Sequence, residues 1–409
     1  MEKLQPVRGT RDLWPDEARR HRHIEDTAFR IAQLYGFGEI MTPIFEFTDV
    51  FARTLGETSD VVTKEMYTFT DRSGDSLTLR PEATAGIARA FINEGQSLPK
   101  PIKLFYRGPM FRHERPQKGR LRQFHQIDAE ILGSDKPLAD IEVIGMAWRL
   151  LGELGFRDKV QLELNSLGSQ KDRADYRATL REYLSAHADK LSDDSKARLE
   201  KNPLRILDSK DEGDRKILVD APRMALTEGQ AFFDEVKAGL TALGIPFAIN
   251  DKLVRGLDYY CHTVFEFTTT MLGAQGTVLA GGRYDGLIQE MGGPPTPSIG
   301  WAAGVERLSA LLATDLPTAR PIVVTAPGNP LAALPIAEQL RGAGLAVELD
   351  MAGRIKTALE RATKLKASAV VILGETERAK NVAAVKDMDA GTQDEVPLAS
   401  LEERLARFR

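Results

Sequence analysis

Apolar positions recur at helical spacing between Asp16 and Tyr35, where Ile24, Ala28, Ile31 and Tyr35 share one face and charged residues fill the other. Pro15 stands just ahead, where a helix tolerates a residue without an N–H. Between Phe37 and Val50 the pattern shifts toward alternation, interrupted by Pro43, and predicts a strand at an edge or an interface. Leu77 to Arg80 reads as a short strand. Pro81 then predicts a first helical position, with a helix through Phe91 and Glu82 beside its N-terminus. From Lys103 to Leu132 two strands flank a loop at 116–120. The second strand divides by parity: Ile127, Ala129 and Ile131 point one way, Gln126, Asp128 and Glu130 the other.

Further on, residues 169–250 are charged and helical in period, which predicts a helical insertion. Strands return at Thr263 to Thr270 and Gly276 to Ala280, and Ser298 to Leu308 reads as a glycine-spaced strand entering a helix. Leu316 to Pro321 is the linker candidate. Beyond it, β-rich runs at Ile322 to Thr325, Leu345 to Leu349 and Ala369 to Leu373 alternate with helical ones, one of them faced by Ile355, Ala358, Leu359, Ala362 and Leu365. The expected organisation is therefore a domain over 1–315, carrying the insertion, and a small α/β domain over 321–409.

A chain of 409 residues exceeds what one core usually organises, which agrees with two domains. With 42% apolar and 28% charged residues it has an ordinary globular balance. The formal net charge of −4 means that any nucleic-acid contact must come from local patches. Cys261 is the single cysteine, which excludes an internal disulfide and a thiolate metal cluster. No apolar run approaches the length of a membrane span, and the opening Met1 to Pro6 has no leader-like apolar stretch, so a cytoplasmic location without membrane attachment is expected.

Against this slightly acidic background the stretch from Arg107 to Arg122 stands out. It carries Arg107, Arg112, Arg115, Lys118, Arg120 and Arg122 against the single acid Glu114. Permanently charged, forked guanidinium groups suit phosphate and carboxylate oxygens. A site that activates a carboxylate with ATP needs such groups at the α-phosphorus, and Arg112, Arg255 and Arg307 are the candidates on three separated segments. A solvent-facing strand would satisfy the parity of Gln126, Asp128 and Glu130, but its continuity with the cationic turn favours the floor of a cleft.

Rival chemistries find little support. His21 and His23 lie two apart on a helix and cannot chelate one ion, and His125 falls on the apolar side of its strand. Cys261-His262 lacks the third member of a nucleophilic triad.

Several stretches together carry a resemblance. Glu39-Ile40-Met41-Thr42-Pro43, the turn from Phe111-Arg112-x-Glu114 to Arg120-x-x-x-Phe124, and Gly300-x-x-x-Gly304-x-Glu306-Arg307 are similar to the motifs of class II aminoacyl-tRNA synthetases. Leu253 to Tyr260, Ala280 to Asp285 and Arg8 to Asp12 resemble the histidyl type within that class. The likeness spans essentially the whole chain. It implies an α+β catalytic domain built on an antiparallel sheet, carrying the helical insertion, followed by a small C-terminal α/β domain that binds the anticodon.

The same resemblance implies roles. Arg255 and Arg112 would be catalytic, Arg112 bridging the amino-acid carboxylate and the α-phosphate. Glu114, Arg120, Phe124 and Arg307 would join Arg112 in binding ATP, Phe124 by stacking on adenine. Glu130 and Tyr260 would address the imidazole of histidine, with Tyr259 and Tyr284 lining its pocket. Glu82, Thr84 and Gln126 would bind the α-amino group. ATP and histidine are the implied small substrates, Mg²⁺ the implied ion on the pyrophosphate side with no protein side chain assigned to it, and tRNA(His) the macromolecular partner of a homodimer whose interface includes the Pro43 segment.

From Arg320 onward 13 Lys and Arg face 12 Asp and Glu, so charge alone gives thin support for RNA binding there. The helix near Arg354, Lys356, Arg361, Lys364 and Lys366 has either a phosphate-contacting or a merely solvated basic face.

Two other readings compete. A non-catalytic synthetase-like subunit that regulates ATP phosphoribosyltransferase need not keep the arginine set. An adenylate-forming ligase with another acceptor would leave the C-terminal domain without a purpose.

Overall fold

A computed structural model describes residues 3–54, 61–116, 119–209, 211–254, 259–273, 276–312 and 316–408. The chain divides into two compact units, Met1–Ala313 and Thr314–Arg409.

The strands of the first unit are β1 (Gly38–Glu39), β2 (Phe45–Phe47), β3 (Tyr67–Thr70), β4 (Ser76–Leu79), β5 (Ile102–Phe111), β6 (Gln123–Leu132), β7 (Gln161–Ser166), β8 (Ala248–Ile249), β9 (Cys261–Thr268), β10 (Thr277–Arg283) and β11 (Ser298–Gly304). Eight of them form one sheet in the order β1-β5-β6-β11-β10-β9-β7-β8. The outermost pairs, β1 with β5 and β7 with β8, are parallel. Every pairing between them is antiparallel, which makes β5, β6, β11, β10, β9 and β7 a continuous antiparallel centre.

One face of this sheet is packed dry. The helices Pro15–Leu34, Pro137–Glu153 and Gln230–Ala242 set Ile24, Ile31, Val143, Leu150, Phe233 and Leu240 against Ile127, Ile131 and Phe265 of the strands. Because strand side chains alternate, burying Ile127, Ala129 and Ile131 there turns Gln126, Asp128 and Glu130 to the opposite face. That opposite face holds the cavity, walled by the helix Thr84–Glu94 and by Tyr259, Tyr260 and Tyr284.

Two local expectations need correction. The alternating stretch at Phe37 to Val50 is not one strand: β1 and β2 are separated at Thr42-Pro43, and Thr48–Ala52 is helical. Arg80 explains the break, since its guanidinium donates to the carbonyls of Thr42 (2.8 Å) and Pro43 (3.2 Å), which no strand neighbour then needs to satisfy. The helix expected to begin at Pro81 begins at Thr84. The Glu82 carboxylate folds back and accepts the N–H groups of Thr84 (2.9 Å) and Ala85 (2.7 Å), satisfying donors that the first helical turn leaves open.

Between β7 and β8, the helices Gln170–Ser185, Asp193–Lys201 and Glu212–Leu218 enclose their own small core around Leu180, Leu184 and Ile206. Asp214 pins it, accepting from the hydroxyls of Ser192 (2.7 Å), Ser195 (2.6 Å) and Ser209 (2.6 Å). The helix Gln230–Ala242 belongs instead to the main core through Phe233, Val236 and Leu240.

The second unit contains β12 (Ile322–Thr325), β13 (Val347–Leu349), β14 (Ala369–Ile372), β15 (Val382–Asp387) and β16 (Gln393–Pro397), ordered β13-β12-β14-β15-β16. Its first three strands are parallel and are linked through the helices Leu334–Gly342 and Ile355–Lys364. An antiparallel hairpin, β15 with β16, extends it beyond the simple strand-helix alternation that the pattern predicts.

Candidate functional site

The loop between β5 and β6 brings the cationic turn over one end of the central cavity. Arg112 donates from Nε to the Pro81 carbonyl (2.8 Å), and its guanidinium lies 5.3 Å from the centroid of the Phe124 ring. Glu114 faces two cations, Arg120 at 3.2 Å and Arg112 at 3.9 Å. From the strand-helix junction after β11, Arg307 reaches into the same space and donates to the carbonyl of Thr277 (2.6 Å). Burial lowers the pKa of Arg307, and the neighbouring positive charges of Arg120 and Arg112 lower it further. Gathering like charges this closely costs free energy, and an anion arriving there recovers it.

Not every cation of the turn serves the cavity. Arg107 pairs with Glu39 (2.8 Å) and Asp26 (2.9 Å) and ties β5 to the first helix. Arg122 donates to the carbonyl of Glu114 (3.3 Å), and its N–H bonds the carbonyl of Gly9 (2.7 Å). Gly9 has φ +89°, and a Cβ there would stand 2.7 Å from Cγ of Arg122, so the stretch around Arg8 to Asp12 packs on the turn only as glycine. Lys118 lies outside the described residues.

The other end of the cavity is acidic and aromatic. Glu130 is 1% exposed and accepts from the hydroxyls of Thr84 (2.7 Å) and Tyr284 (2.5 Å). Burial pushes its carboxyl up to about 8, with the charge of Glu82 adding to the rise and the two hydroxyls opposing it. Glu82 is also raised by burial, despite the backbone N–H groups of Ala85 and Thr84 that favour its ionised form. Tyr259 packs against Tyr260 (ring centroids 4.6 Å apart) and Tyr284 (5.7 Å), closing this end. Gly300 makes room for Glu130: a Cβ would fall 1.5 Å from its Oε2.

Sequence-nominated residues from distant segments therefore line one cavity. Arg112, Glu114, Arg120, Phe124 and Arg307 stand at its cationic end. Glu82, Thr84, Gln126, Glu130, Tyr259, Tyr260 and Tyr284 stand at the acidic one. Arg255 lies outside the described residues.

Among the lining residues that were not nominated are two acids. Asp128 shares the parity of Gln126 and Glu130, and that pattern was the available signal. Glu306 lines the cavity beside Arg307, and its carboxylate also accepts from His125; only its position next to an arginine hinted at it. The histidine is thus held by an acid from another element, with His21 edge-on at 5.4 Å. Cys261 is buried and its thiol is pushed up to about 12 by burial, so it stays neutral and is no nucleophile.

The cavity can hold a polyanion next to a small molecule that has acceptor-seeking groups. Residues 9–308 match the family model described as histidyl-tRNA synthetase, and residues 322–407 match that of the anticodon-binding domain. The chain is 61% identical to the histidine–tRNA ligase of Rhodospirillum rubrum over the full length of both. It is 54% identical to the histidine–tRNA ligase of Gluconacetobacter diazotrophicus, over 99% of each chain. Its fold is similar to the crystal structure of apo Staphylococcus aureus histidyl-tRNA synthetase, with a TM-score of 0.83 and 32% identity across 98% of this chain and 99% of that one.

Proposed function

The chain belongs to the histidyl-tRNA synthetase family, and from that membership we propose how its cavity divides the work of the reaction. It is a histidine–tRNA ligase: histidine and ATP give histidyl-adenylate and pyrophosphate, and the acyl group then passes to the 3'-terminal adenosine of tRNA(His). The reading as a regulatory subunit of ATP phosphoribosyltransferase is not favoured beside full-length ligase relatives of this identity.

Arg112 bridges the histidine carboxylate and the ATP α-phosphate and stabilises the charge that builds as one attacks the other. Phe124 stacks on adenine, Glu114 accepts from the adenine amino group, and Arg120 and Arg307 hold the phosphates. Glu130 and Tyr260 receive the imidazole, with Tyr259 and Tyr284 as walls. Glu82, Thr84 and Gln126 surround the α-amino group. Arg255 is assigned a second catalytic cation beside the α-phosphate, on the family likeness alone. What supports this division is the polarity of the cavity, with guanidinium groups at one end and buried carboxyls at the other. Catalysis is then chiefly positioning and fixed charge.

Mg²⁺ fits this site as a phosphate-borne ion, because the carboxylates at the cationic end are already engaged, Glu114 by Arg120 and Glu306 by His125. When bound it would neutralise charge on the pyrophosphate oxygens.

A homodimer is supported by exposed apolar side chains around Pro43. Met41, Ile44, Phe45, Phe47 and Phe69 are all exposed, a cluster that a partner surface would cover. The match of the second unit to the anticodon-binding domain supports tRNA contact there, with Arg354, Lys356 and Lys364 as candidate phosphate partners, whereas Arg361 is paired with Glu348 (2.6 Å). Among the described residues no helix is long and apolar enough to cross a membrane; the cytoplasmic location is proposed from the tRNA substrate.

The decisive assay is histidine-dependent exchange of labelled pyrophosphate into ATP. Exchange is expected from the folded protein, together with a loss of orders of magnitude in Arg112→Ala and Arg255→Ala. Folded protein without exchange would overturn this assignment of function.

A further inference from the structure

The buried acceptors of the cavity are not equivalent. Both oxygens of Glu82 are occupied by the N–H groups of Thr84 and Ala85. Both oxygens of Glu130 receive hydroxyls, from Thr84 and Tyr284. Asp128 lies between Gln126 and Glu130 on the same face of β6 and is 1% exposed, yet its Oδ2 has no hydrogen-bond partner. The same holds for Oε1 of Gln126, one same-face step away. A buried carboxylate oxygen and a buried amide oxygen without partners, one same-face step apart on the strand, are costly unless a donor arrives.

We infer that Asp128, together with Gln126, is the acceptor of the substrate's α-ammonium group, and that Asp128 is what favours ligands carrying that ammonium over those that lack it. This deepens the reading of the cavity as a histidine site and rests on it. The strand acts as a ruler. Same-face residues of β6 stand about 7 Å apart, at about 3.3 Å per residue. With the imidazole ring at Glu130, the α-nitrogen of histidine falls about one such step nearer Arg112, level with Asp128, and its carboxylate falls beyond, toward the guanidinium.

The surroundings of Asp128 suit that role. Tyr106 is its cross-strand partner on β5, and the Arg80 guanidinium lies 5.0 Å from the Tyr106 ring centroid. Arg80 is committed to the carbonyls of Pro109, Thr42 and Pro43. The charged groups that face Asp128 are therefore Glu130, Glu82, Arg80 and Arg112. Burial, reinforced by Glu130 and then Glu82, raises its carboxyl well above the ordinary range, while Arg80 and Arg112 pull it down. An ammonium group arriving at Oδ2 favours the ionised form of the carboxyl, so its binding is expected to be coupled to proton release.

The test is calorimetric titration of the full-length protein with L-histidine, with L-histidinol, which keeps the ammonium but lacks the carboxylate, and with 3-(imidazol-4-yl)propionate, which lacks the ammonium. In Asp128→Asn the first two should weaken by roughly 10- to 100-fold. Binding of the propionate and the KM for ATP should stay within about twofold, a margin too small to represent a lost charged hydrogen bond. A second measurement needs no variant. Titrating the unmodified protein in buffers of different ionisation enthalpy should give a larger proton release with histidine than with the propionate. Equal weakening of all three ligands in Asp128→Asn, or equal proton release with and without the ammonium, would overturn the assignment. No histidine binding by the unmodified protein would overturn the histidine reading of the cavity, and this inference with it.

Discussion

Glu306 holds His125 at two points: its carboxylate accepts the backbone N–H at 3.0 Å and meets the ring Nδ1 at 2.9 Å. The contact joins β6 to the helix Val305–Leu311, and the neighbours of the two residues are Phe124, Gln126 and Arg307, all lining the cavity. One acid thereby fixes the Phe124 end of the floor relative to Arg307. Its loss is a positioning defect. Glu306→Ala should cost about 1–3 kcal/mol, because a part-buried N–H and ring nitrogen lose their acceptor. It should raise the KM for ATP more than that for histidine. Thermal unfolding and steady-state kinetics check both, and an unchanged ATP KM would remove the positioning role.

Gly300 and Glu130 are cross-strand partners on β11 and β6, and any side chain at 300 collides with the carboxyl. Gly300→Ala forces Glu130 out of its bonds with Thr84 and Tyr284. Misplacement on that scale should cut histidine-dependent pyrophosphate exchange by about two orders of magnitude. A fold that survives, judged by circular dichroism, would locate the damage in the pocket.

The raised carboxyl of Glu130 predicts a pH dependence for histidine binding. Burial raises its carboxyl to about 8, which at neutral pH favours the neutral acid, a poorer acceptor for an imidazole N–H than the carboxylate. Binding favours the ionised form, so affinity should rise as pH increases toward about 8 and level off above it. Titration with 3-(imidazol-4-yl)propionate between about pH 7 and 8.5 isolates this effect from the ammonium. In Glu130→Gln the slope should shrink to what titration of the ligand's own imidazole contributes.

Arg283 and Asp140 form a pair with both side chains fully buried. Arg283 also donates to the carbonyls of Ser134 (2.7 Å) and Lys136 (3.2 Å) and to Asp285 (3.1 Å). Asp140→Ala should therefore destabilise the first unit by about 3–5 kcal/mol, since the guanidinium keeps its charge, loses its fully buried partner and retains only the part-exposed Asp285. Chemical denaturation measures this, and a change under 1 kcal/mol, near the usual worth of a surface pair, would contradict it.

Asp214 predicts the acid response of the helical cluster. Burial opposes its ionisation, but hydrogen bonds from Ser195, Ser209 and Ser192 prevail and hold the carboxyl down at about 2. A depressed carboxyl contributes stability above its unfolded value near 3.8 and loses it as pH falls through about 2. The contribution is roughly 2 kcal/mol. Asp214→Asn should lose it at neutral pH and flatten the acid limb of a pH-dependent unfolding curve.

Much of the site was legible because the chemistry is local to short motifs. The cationic turn announced Arg112 and Arg120, and strand parity put Gln126 and Glu130 on one face before any contact was known. The same parity carried Asp128, but nothing in the pattern said that its oxygen would lack a partner while those of Glu82 and Glu130 would not. That asymmetry depends on where a helix starts and where Tyr284 arrives, and both are set by packing between segments far apart in the chain. Pro81 misled for a related reason: a proline licenses a helix start, but the Glu82 side chain moved it to Thr84.

The sequence by itself determined the alternation that buries Ile127 and Ile131, the cations of the turn, and the family to which the chain belongs. Periodicity and composition act along the chain, and folding preserves them. Only the tertiary structure decided which of the cations face the cavity and which, like Arg107 and Arg122, hold strands and the N-terminal segment in place. It also decided which acids keep an open oxygen. Those outcomes depend on burial and hydrogen-bond partners, which arise when β5, β6, β10 and β11 close against one another, and no single stretch of sequence contains them.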